Sequence, residues 1–146
     1  MPPPLLQTKL DLPRPRAGVV PRARLLARLD GAAGAKVALV CAPAGFGKTT
    51  LLAQWLAGQE APPHGRRAAW LSLDRGDDDP VTFWTYVVTA LRSVAPEAGA
   101  DALALLADGA QVPVRLVLTT LLNHLAAPGG EVVLVLDDYH LVEARE

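Results

Sequence analysis

The segment at residues 41–50 constrains the fold of this chain more than any other part of the sequence. It follows an apolar run at residues 37–40 and precedes a helix-like segment at residues 51–56. The triplet Gly-Lys-Thr within it begins at Gly47. A strand, a glycine-bearing turn, a Lys-Thr pair and a helix in succession are the arrangement of a phosphate-binding P-loop.

The residue types of this segment suit the binding of a triphosphate. Backbone N–H groups of the loop and of the new helix point at the anion, and the helix dipole favours negative charge there. Lys48 adds a mobile charge for the β- and γ-phosphates, which gives it a catalytic role, and the Thr49 hydroxyl can ligand Mg²⁺. We predict nucleotide contacts from Ala42, Pro43, Ala44, Gly45, Phe46, Gly47, Lys48, Thr49 and Thr50.

The first position of the motif departs from the usual pattern, since Ala42 stands where glycine is common. Because alanine does not tolerate a positive φ, we expect an ordinary backbone conformation at Ala42. A Gly-Lys-Thr triplet can arise in a loop by chance. Here, however, strand and helix signals flank it on the correct sides.

Length and composition restrict the class of protein. The chain has 146 residues, which favours one domain, and 51% of them are hydrophobic, enough for a buried core. A net charge of −1 gives no overall reason to expect an anionic membrane or nucleic acid as partner. The single cysteine, Cys41, excludes an internal disulfide and fits a reducing compartment, so we expect a cytoplasmic protein. No apolar run is long enough to span a bilayer, so we expect no membrane partner. We expect Cys41 itself to be buried at a strand end.

The pattern of apolar residues predicts a chain of alternating strands and helices. Strands are expected at residues 36–41, 68–73 and 132–136, and helices at 21–29, 49–57, 80–94, 101–107 and 112–127. Right-handed crossovers between such strands give an α/β fold, a three-layer structure with a parallel sheet between helices. Ligands in these folds lie at the carboxyl ends of the strands.

A second acidic motif follows the last predicted strand. The apolar run 132–136 leads into Asp137 and Asp138, which is the Walker B pattern. If this strand lies beside the strand at 36–41, Asp137 emerges near Thr49 and the two hold Mg²⁺. Asp138 is then placed to orient or activate a water at the γ-phosphate, a catalytic role. Without the P-loop upstream, both acids could equally be a polar strand end and a turn.

Acidic residues also cluster between the second predicted strand and the next helix. Asp79 is a natural N-cap and Pro80 a natural first helical residue, so the cluster at 74–79 is explained by capping and solvation. A second metal site is the alternative. Trp55, Trp70 and Trp84 lie on apolar stripes and are expected to pack in the core.

Taken together, these residues resemble a known family. The chain is similar to the N-terminal part of the NTPase domain of MalT-like, LuxR-type ATP-dependent transcriptional regulators, which belong to the STAND class of P-loop NTPases. The resemblance covers nearly the whole chain and rests on four stretches: Leu6-Gln7-Thr8-Lys9-Leu10 with Pro13, Arg16, Val20 and Arg22; residues 42–52, including alanine at the first P-loop position; Trp70-Leu71-Ser72-Leu73-Asp74 with 77–80, Phe83 and Trp84; and Leu136-Asp137-Asp138-Tyr139-His140.

The resemblance implies an ATP-binding switch rather than a metabolic enzyme. In such regulators ATP favours an open, self-associating state, ADP a closed one, and slow hydrolysis resets the switch. A small-molecule inducer and DNA bind through other domains. Val20 and Arg22 correspond to the part that lies near the adenine.

The resemblance also implies a division of the chain and a sheet order. Residues 1–30 correspond to the arm and first helix, and 31–146 to part of the NTPase domain, from Walker A to just past Walker B. The expected sheet order is 2-3-1-4-5, of which this chain carries 2-3-1. The bare edge of strand 1 leads us to expect a fragment that self-associates.

Two other functions are compatible with the same loop. A stand-alone nucleotide-dependent enzyme, such as a small-molecule kinase, would need an acceptor-binding lid and basic residues after the third strand. Only Arg145 stands there. A non-catalytic remnant would bind nucleotide weakly or not at all.

Overall fold

The computed structural model describes residues 4–60, 64–108, 113–126 and 130–143. The chain divides into two compact units. One comprises Leu12–Gly65, and the other comprises Met1–Asp11 together with Arg66–Glu146. The predicted division between residues 30 and 31 stays a prediction.

The unit Leu12–Gly65 is built on two helices, α1 (Ala23–Ala32) and α2 (Lys48–Gln59). Leu25, Leu26 and Leu29 form the apolar face of α1 and are half-buried, while most of its other side chains are exposed. A carboxylate joins the two helices: Asp30 Oδ1 accepts hydrogen bonds from Trp55 Nε1 at 2.8 Å and from Gln59 Nε2 at 3.1 Å. The helix that follows the P-loop is thus fixed to the helix that precedes it.

The prediction of a strand at residues 36–41 is wrong, because the structure has no strand there. Val37 and Leu39 are 84% and 82% exposed, and Cys41, expected to be buried, is exposed as well. An apolar sequence forms a strand only where a neighbouring strand pairs with its backbone and a packed layer covers its side chains. Among the residues that the structure describes, none forms a strand paired with residues 36–41, and five of these six residues are exposed.

The other two predicted strands are confirmed. Strand β1 (Arg67–Ser72) and strand β2 (Val132–Asp137) pair in parallel, with Arg67 opposite Val132 and Ser72 opposite Asp137. The fold is therefore α/β with a small parallel sheet, and its two strands are the adjacent pair 2-3 of the predicted order.

Three helices of the same unit supply most of its core: α3 (Pro80–Arg92), α4 (Ala100–Ala107) and α5 (Val114–Leu125). Their apolar faces pack with one face of β1, where Ala69 and Leu71 are at most 1% exposed. The predicted start of α3 is confirmed, since the Asp79 side chain accepts a hydrogen bond from the Thr82 N–H at 2.8 Å. Core packing of the tryptophans is confirmed too. Trp55 and Trp70 are buried, and the half-buried Trp84 contacts the core.

A buried ion pair attaches the N-terminal arm to this core. Residues Gln7–Lys9 form a short 3-10 helix, and Lys9 Nζ lies 2.7 Å from both carboxylate oxygens of Asp77. Both residues are buried, Asp77 to 1% exposure. Asp74 is a second carboxylate partner, with one oxygen 2.9 Å from the ammonium, and the ammonium lies 4.7 Å from the centre of the Tyr86 ring. Asp74 also caps a short 3-10 helix, Arg75–Asp78, by accepting a hydrogen bond from the Gly76 N–H. The cluster of acids at 74–79 thus caps this helix and α3 and also binds the Lys9 ammonium.

The pKa of Lys9 reflects two opposing effects of this environment. Burial alone lowers it, but the hydrogen bonds and charges of Asp77 and Asp74 outweigh burial, and the pKa of Lys9 rises above its ordinary value. The hydrogen bond from Lys9 and that from the Gly76 N–H lower the pKa of Asp74. Each shift favours the charged form.

In the described part of the chain, no helix is both long enough and apolar enough to cross a membrane.

Candidate nucleotide-binding site

The predicted P-loop contains a tight turn with two left-handed glycines. Gly45 and Gly47 have φ values of +82° and +80°, and the Phe46 N–H donates to the Pro43 carbonyl at 3.4 Å. A side chain at either glycine would be strained, which explains the residue type at both positions. Ala42 does not have a positive φ, so the ordinary conformation expected there is confirmed.

Helix α2 begins directly after this turn, at Lys48. Gly47 occupies the N-cap position and has no side chain with which to accept a hydrogen bond from the first helical turn. The first N–H groups of a helix have no partner within the helix, and they carry the positive end of its dipole. The loop at 41–46 is exposed, so an anion from solvent can reach this helix end.

Lys48 is folded towards the loop. Its ammonium donates hydrogen bonds to the carbonyl oxygens of Ala42 and of Pro43, the latter at 3.3 Å. An ammonium carries three N–H donors, so two such bonds leave capacity for a phosphate oxygen. The side chain is half-buried, and its positive charge lies at the loop where the β- and γ-phosphates are expected.

Arg22 connects the segment before α1 to the loop. Its Nη1 donates to the Phe46 carbonyl at 2.8 Å, and a Cβ added to Gly47 would lie 3.2 Å from its Nη2. The guanidinium therefore packs against the left-handed turn and fixes one of its carbonyls. Sequence reasoning placed Arg22 near the adenine and did not anticipate this contact with the loop.

A pocket opens beside the start of α2. Its volume is about 330 Å³. It brings together two sequence-predicted base contacts, Val20 and Arg22, and two sequence-predicted phosphate contacts, Gly47 and Thr50. The remaining lining residues are Arg16, Val19, Leu51 and Gln54. Sequence reasoning missed Gln54, although its spacing from Gly47, Thr50 and Leu51 places all four on one face of the helix.

The two acids of the predicted Walker B motif lie at the carboxyl end of β2, in the other compact unit. Asp137 is the last residue of the strand and is buried, with its backbone carbonyl accepting from the Leu73 N–H at 3.0 Å. Asp138 is exposed and has a left-handed conformation, with φ 56° and ψ 32°. Aspartate tolerates this region better than most residues, and such strain is common at functional sites.

The magnesium site predicted from Thr49 and Asp137 depended on the strand at 36–41 lying beside β2. That strand is absent, and the two residues belong to different units, so the shared site stays a prediction. Among the residues that the structure describes, no group of three or more His, Cys, Asp or Glu side chains is arranged to hold a metal ion. Hydroxyl and carboxylate oxygens are nevertheless the donors that Mg²⁺ prefers.

A left-handed glycine turn, a lysine at the first position of a helix and a parallel sheet are compatible with the P-loop class of phosphate-binding proteins. No protein-family model matches the chain. Its sequence is 36% identical over 138 residues to the HTH-type transcriptional regulator MalT of Cronobacter sakazakii, a match covering 94% of this chain and 15% of that protein. MalT of Klebsiella pneumoniae is 34% identical and MalT of Yersinia enterocolitica is 35% identical, each over 138 residues that cover 94% of this chain and 15% of the relative.

The chain is therefore related to the MalT-type transcriptional regulators, and the resemblance drawn from the sequence is confirmed. It spans 15% of the length of these relatives.

Proposed function

We propose that the chain is an ATP-binding switch module of a MalT-type transcriptional regulator. ATP and ADP bind at the P-loop, and slow hydrolysis converts one state into the other. The inducer and DNA are bound by other parts of such a regulator, and self-association accompanies the ATP state. The relationship to proteins described as HTH-type transcriptional regulators supports this assignment over that of a metabolic enzyme.

One observation carries the nucleotide assignment: the pocket of about 330 Å³ opens directly onto the uncapped start of α2. A nucleotide needs an anion site joined to an apolar cavity. Gly47 and Thr50 contribute to the anion side, and Val20 and Leu51 contribute apolar surface. The volume lies within the range of about 300–1,000 Å³ typical of small-molecule sites.

Hydrolysis belongs to the same proposal. According to the sequence motifs, Thr49 would give Mg²⁺ a hydroxyl ligand and Asp137 would give it a carboxylate ligand, and the charge of the metal would offset that of the phosphates. Asp138 would accept a hydrogen bond from the attacking water and orient it towards the γ-phosphate. The three-layer arrangement is also part of the proposal, because the parallel pair β1 and β2 is compatible with it.

Titration with fluorescently labelled ATP and ADP, with and without Mg²⁺, tests the proposal. Lys48→Ala should abolish binding, since the loop amides alone leave the β- and γ-phosphates poorly compensated. Lys36→Ala is the matched control: it removes an exposed lysine of the same unit outside the loop and should leave affinity unchanged. If Lys48→Ala binds as tightly as the unmodified chain, the loop is not the nucleotide site.

A further inference from the structure

We propose that Gln54 reads the Hoogsteen edge of the base and makes the pocket selective for adenine over guanine nucleotides. This inference rests on the nucleotide-binding function proposed above. It assigns a specificity-determining residue to a position for which neither the sequence motifs nor the relatives give a role.

Gln54 lies on the face of α2 that lines the pocket. Gly47, Thr50, Leu51 and Gln54 follow the spacing i, i+3, i+4 and i+7, so they form one stripe along the helix, and all four line the pocket. With a rise of about 1.5 Å per residue, Gln54 lies about 6 Å beyond Thr50 along the axis and about 10 Å beyond Gly47. Phosphates held at the Gly47 end therefore direct the sugar and base along the stripe towards Gln54.

The pocket combines apolar side chains with the amide of Gln54. Val19, Val20 and Leu51 supply apolar surface, which suits the flat faces of a purine. Gln54 is half-buried, so its amide is partly shielded from competing water. A hydrogen bond made by a shielded group discriminates more strongly than one made in open solvent.

The carboxamide of Gln54 carries a donor and an acceptor side by side, which matches the N6–H donor and N7 acceptor on the Hoogsteen edge of adenine. Guanine presents two acceptors there, O6 and N7, so its O6 would face the amide oxygen. A bidentate match of this kind discriminates about ten- to hundred-fold between the two bases.

Arg16 and Arg22 are the competing candidates in the same pocket, but the guanidinium of Arg22 is engaged at the loop, where its Nη1 donates to the Phe46 carbonyl at 2.8 Å. A guanidinium carries only donors and would favour the two acceptors of guanine. Arg16 is exposed, however, and stands outside the regular helices, whereas Gln54 is half-buried on a helix. A measured preference for adenine would point to Gln54, and a measured preference for guanine would point to an arginine.

The experiment compares ATP, GTP, 7-deaza-ATP and inorganic tripolyphosphate as ligands of the chain and of Gln54→Leu, whose apolar side chain has a similar size. We expect the unmodified chain to prefer ATP over GTP at least ten-fold and to bind 7-deaza-ATP, which lacks N7, several-fold more weakly than ATP. Gln54→Leu should lose both differences while its affinity for tripolyphosphate stays unchanged. The comparison of ATP with 7-deaza-ATP needs no variant, so it tests the inference even if Gln54→Leu does not fold.

Three results would overturn the inference. These are equal affinity of the unmodified chain for ATP and GTP, a preference for GTP, and an ATP preference that survives in Gln54→Leu. A distinct result, no binding of ATP or of tripolyphosphate to the well-folded chain, would instead overturn the proposed function.

Discussion

Replacing Lys9 by methionine removes one half of an ion pair that is almost entirely inside the protein. The ammonium lies 2.7 Å from both oxygens of Asp77, whose exposure is 1%. Methionine keeps most of the aliphatic stem of lysine, so little packing is lost. The variant therefore isolates the consequence of leaving a buried carboxylate without its cation.

The expected cost follows from that burial. Removing one partner of a buried pair costs about 3–5 kcal/mol, because the remaining charge stays desolvated and uncompensated. The Asp74 N–H still donates to Asp77 Oδ2 at 2.8 Å, which places our estimate at the lower end of that range. Since whole domains are stable by only about 5–15 kcal/mol, such a loss is large.

Urea unfolding, followed by tryptophan fluorescence and far-ultraviolet circular dichroism, measures the change. Lys9→Met/Asp77→Asn should recover at least about half of the loss, because the amide oxygen can still accept from Asp74 while the buried charge is gone. Glu131→Gln is the control: it breaks a pair with Arg66 in which Glu131 is 71% exposed, and it should cost less than about 1 kcal/mol. A loss below about 1 kcal/mol in Lys9→Met, or a double variant no more stable than the single, would refute the reasoning.

Three further predictions concern the loop, the ion pair and the metal. Gly47→Ala should destabilise the chain by about 1–2 kcal/mol in urea unfolding because of its φ of +80°, whereas Gly31→Ala, within α1 and with open space around it, should not destabilise it. In thermal melts across pH, the contribution of Asp74, whose pKa is lowered, should be complete above about pH 4 and lost as pH falls through its folded pKa. The contribution to stability of Lys9, whose pKa is raised, should be complete below pH 10.5 and lost as pH rises above the pKa of Lys9 in the folded state. A melting temperature independent of pH in both ranges would contradict these expectations. Asp137→Asn should weaken the Mg²⁺ dependence of ATP binding more than the affinity measured without Mg²⁺, and an equal loss of both would argue against a metal role.

Local signals in the sequence predicted much of the fold. Asp79 followed by Pro80 fixed the start of α3, because the cap and the preset φ of proline act within one turn. The apolar run 132–136 predicted β2 correctly, since its backbone finds a parallel partner in β1. The same kind of signal at residues 36–41 predicted a strand that is not there, because strand formation depends on a distant partner that local sequence does not specify.

The candidate site was predictable in its residue types and less so in its contacts. The glycines and Lys48 follow from the motif, and the structure places them at the start of a helix as expected. The hydrogen bond from Arg22 to the Phe46 carbonyl and the burial of Asp77 were not predictable. Both depend on which distant segments come together, and a charged residue gives no local sign that it will be buried.

Backbone amide chemical shifts, measured by nuclear magnetic resonance during a titration with ATP, test the central claim most directly. If the main-chain N–H groups at the start of α2 bind the triphosphate, the largest shifts fall on Gly45, Gly47, Lys48 and Thr49, and tripolyphosphate reproduces them. Shifts confined to residues outside the loop and the pocket, or none at saturating ATP, would contradict the account.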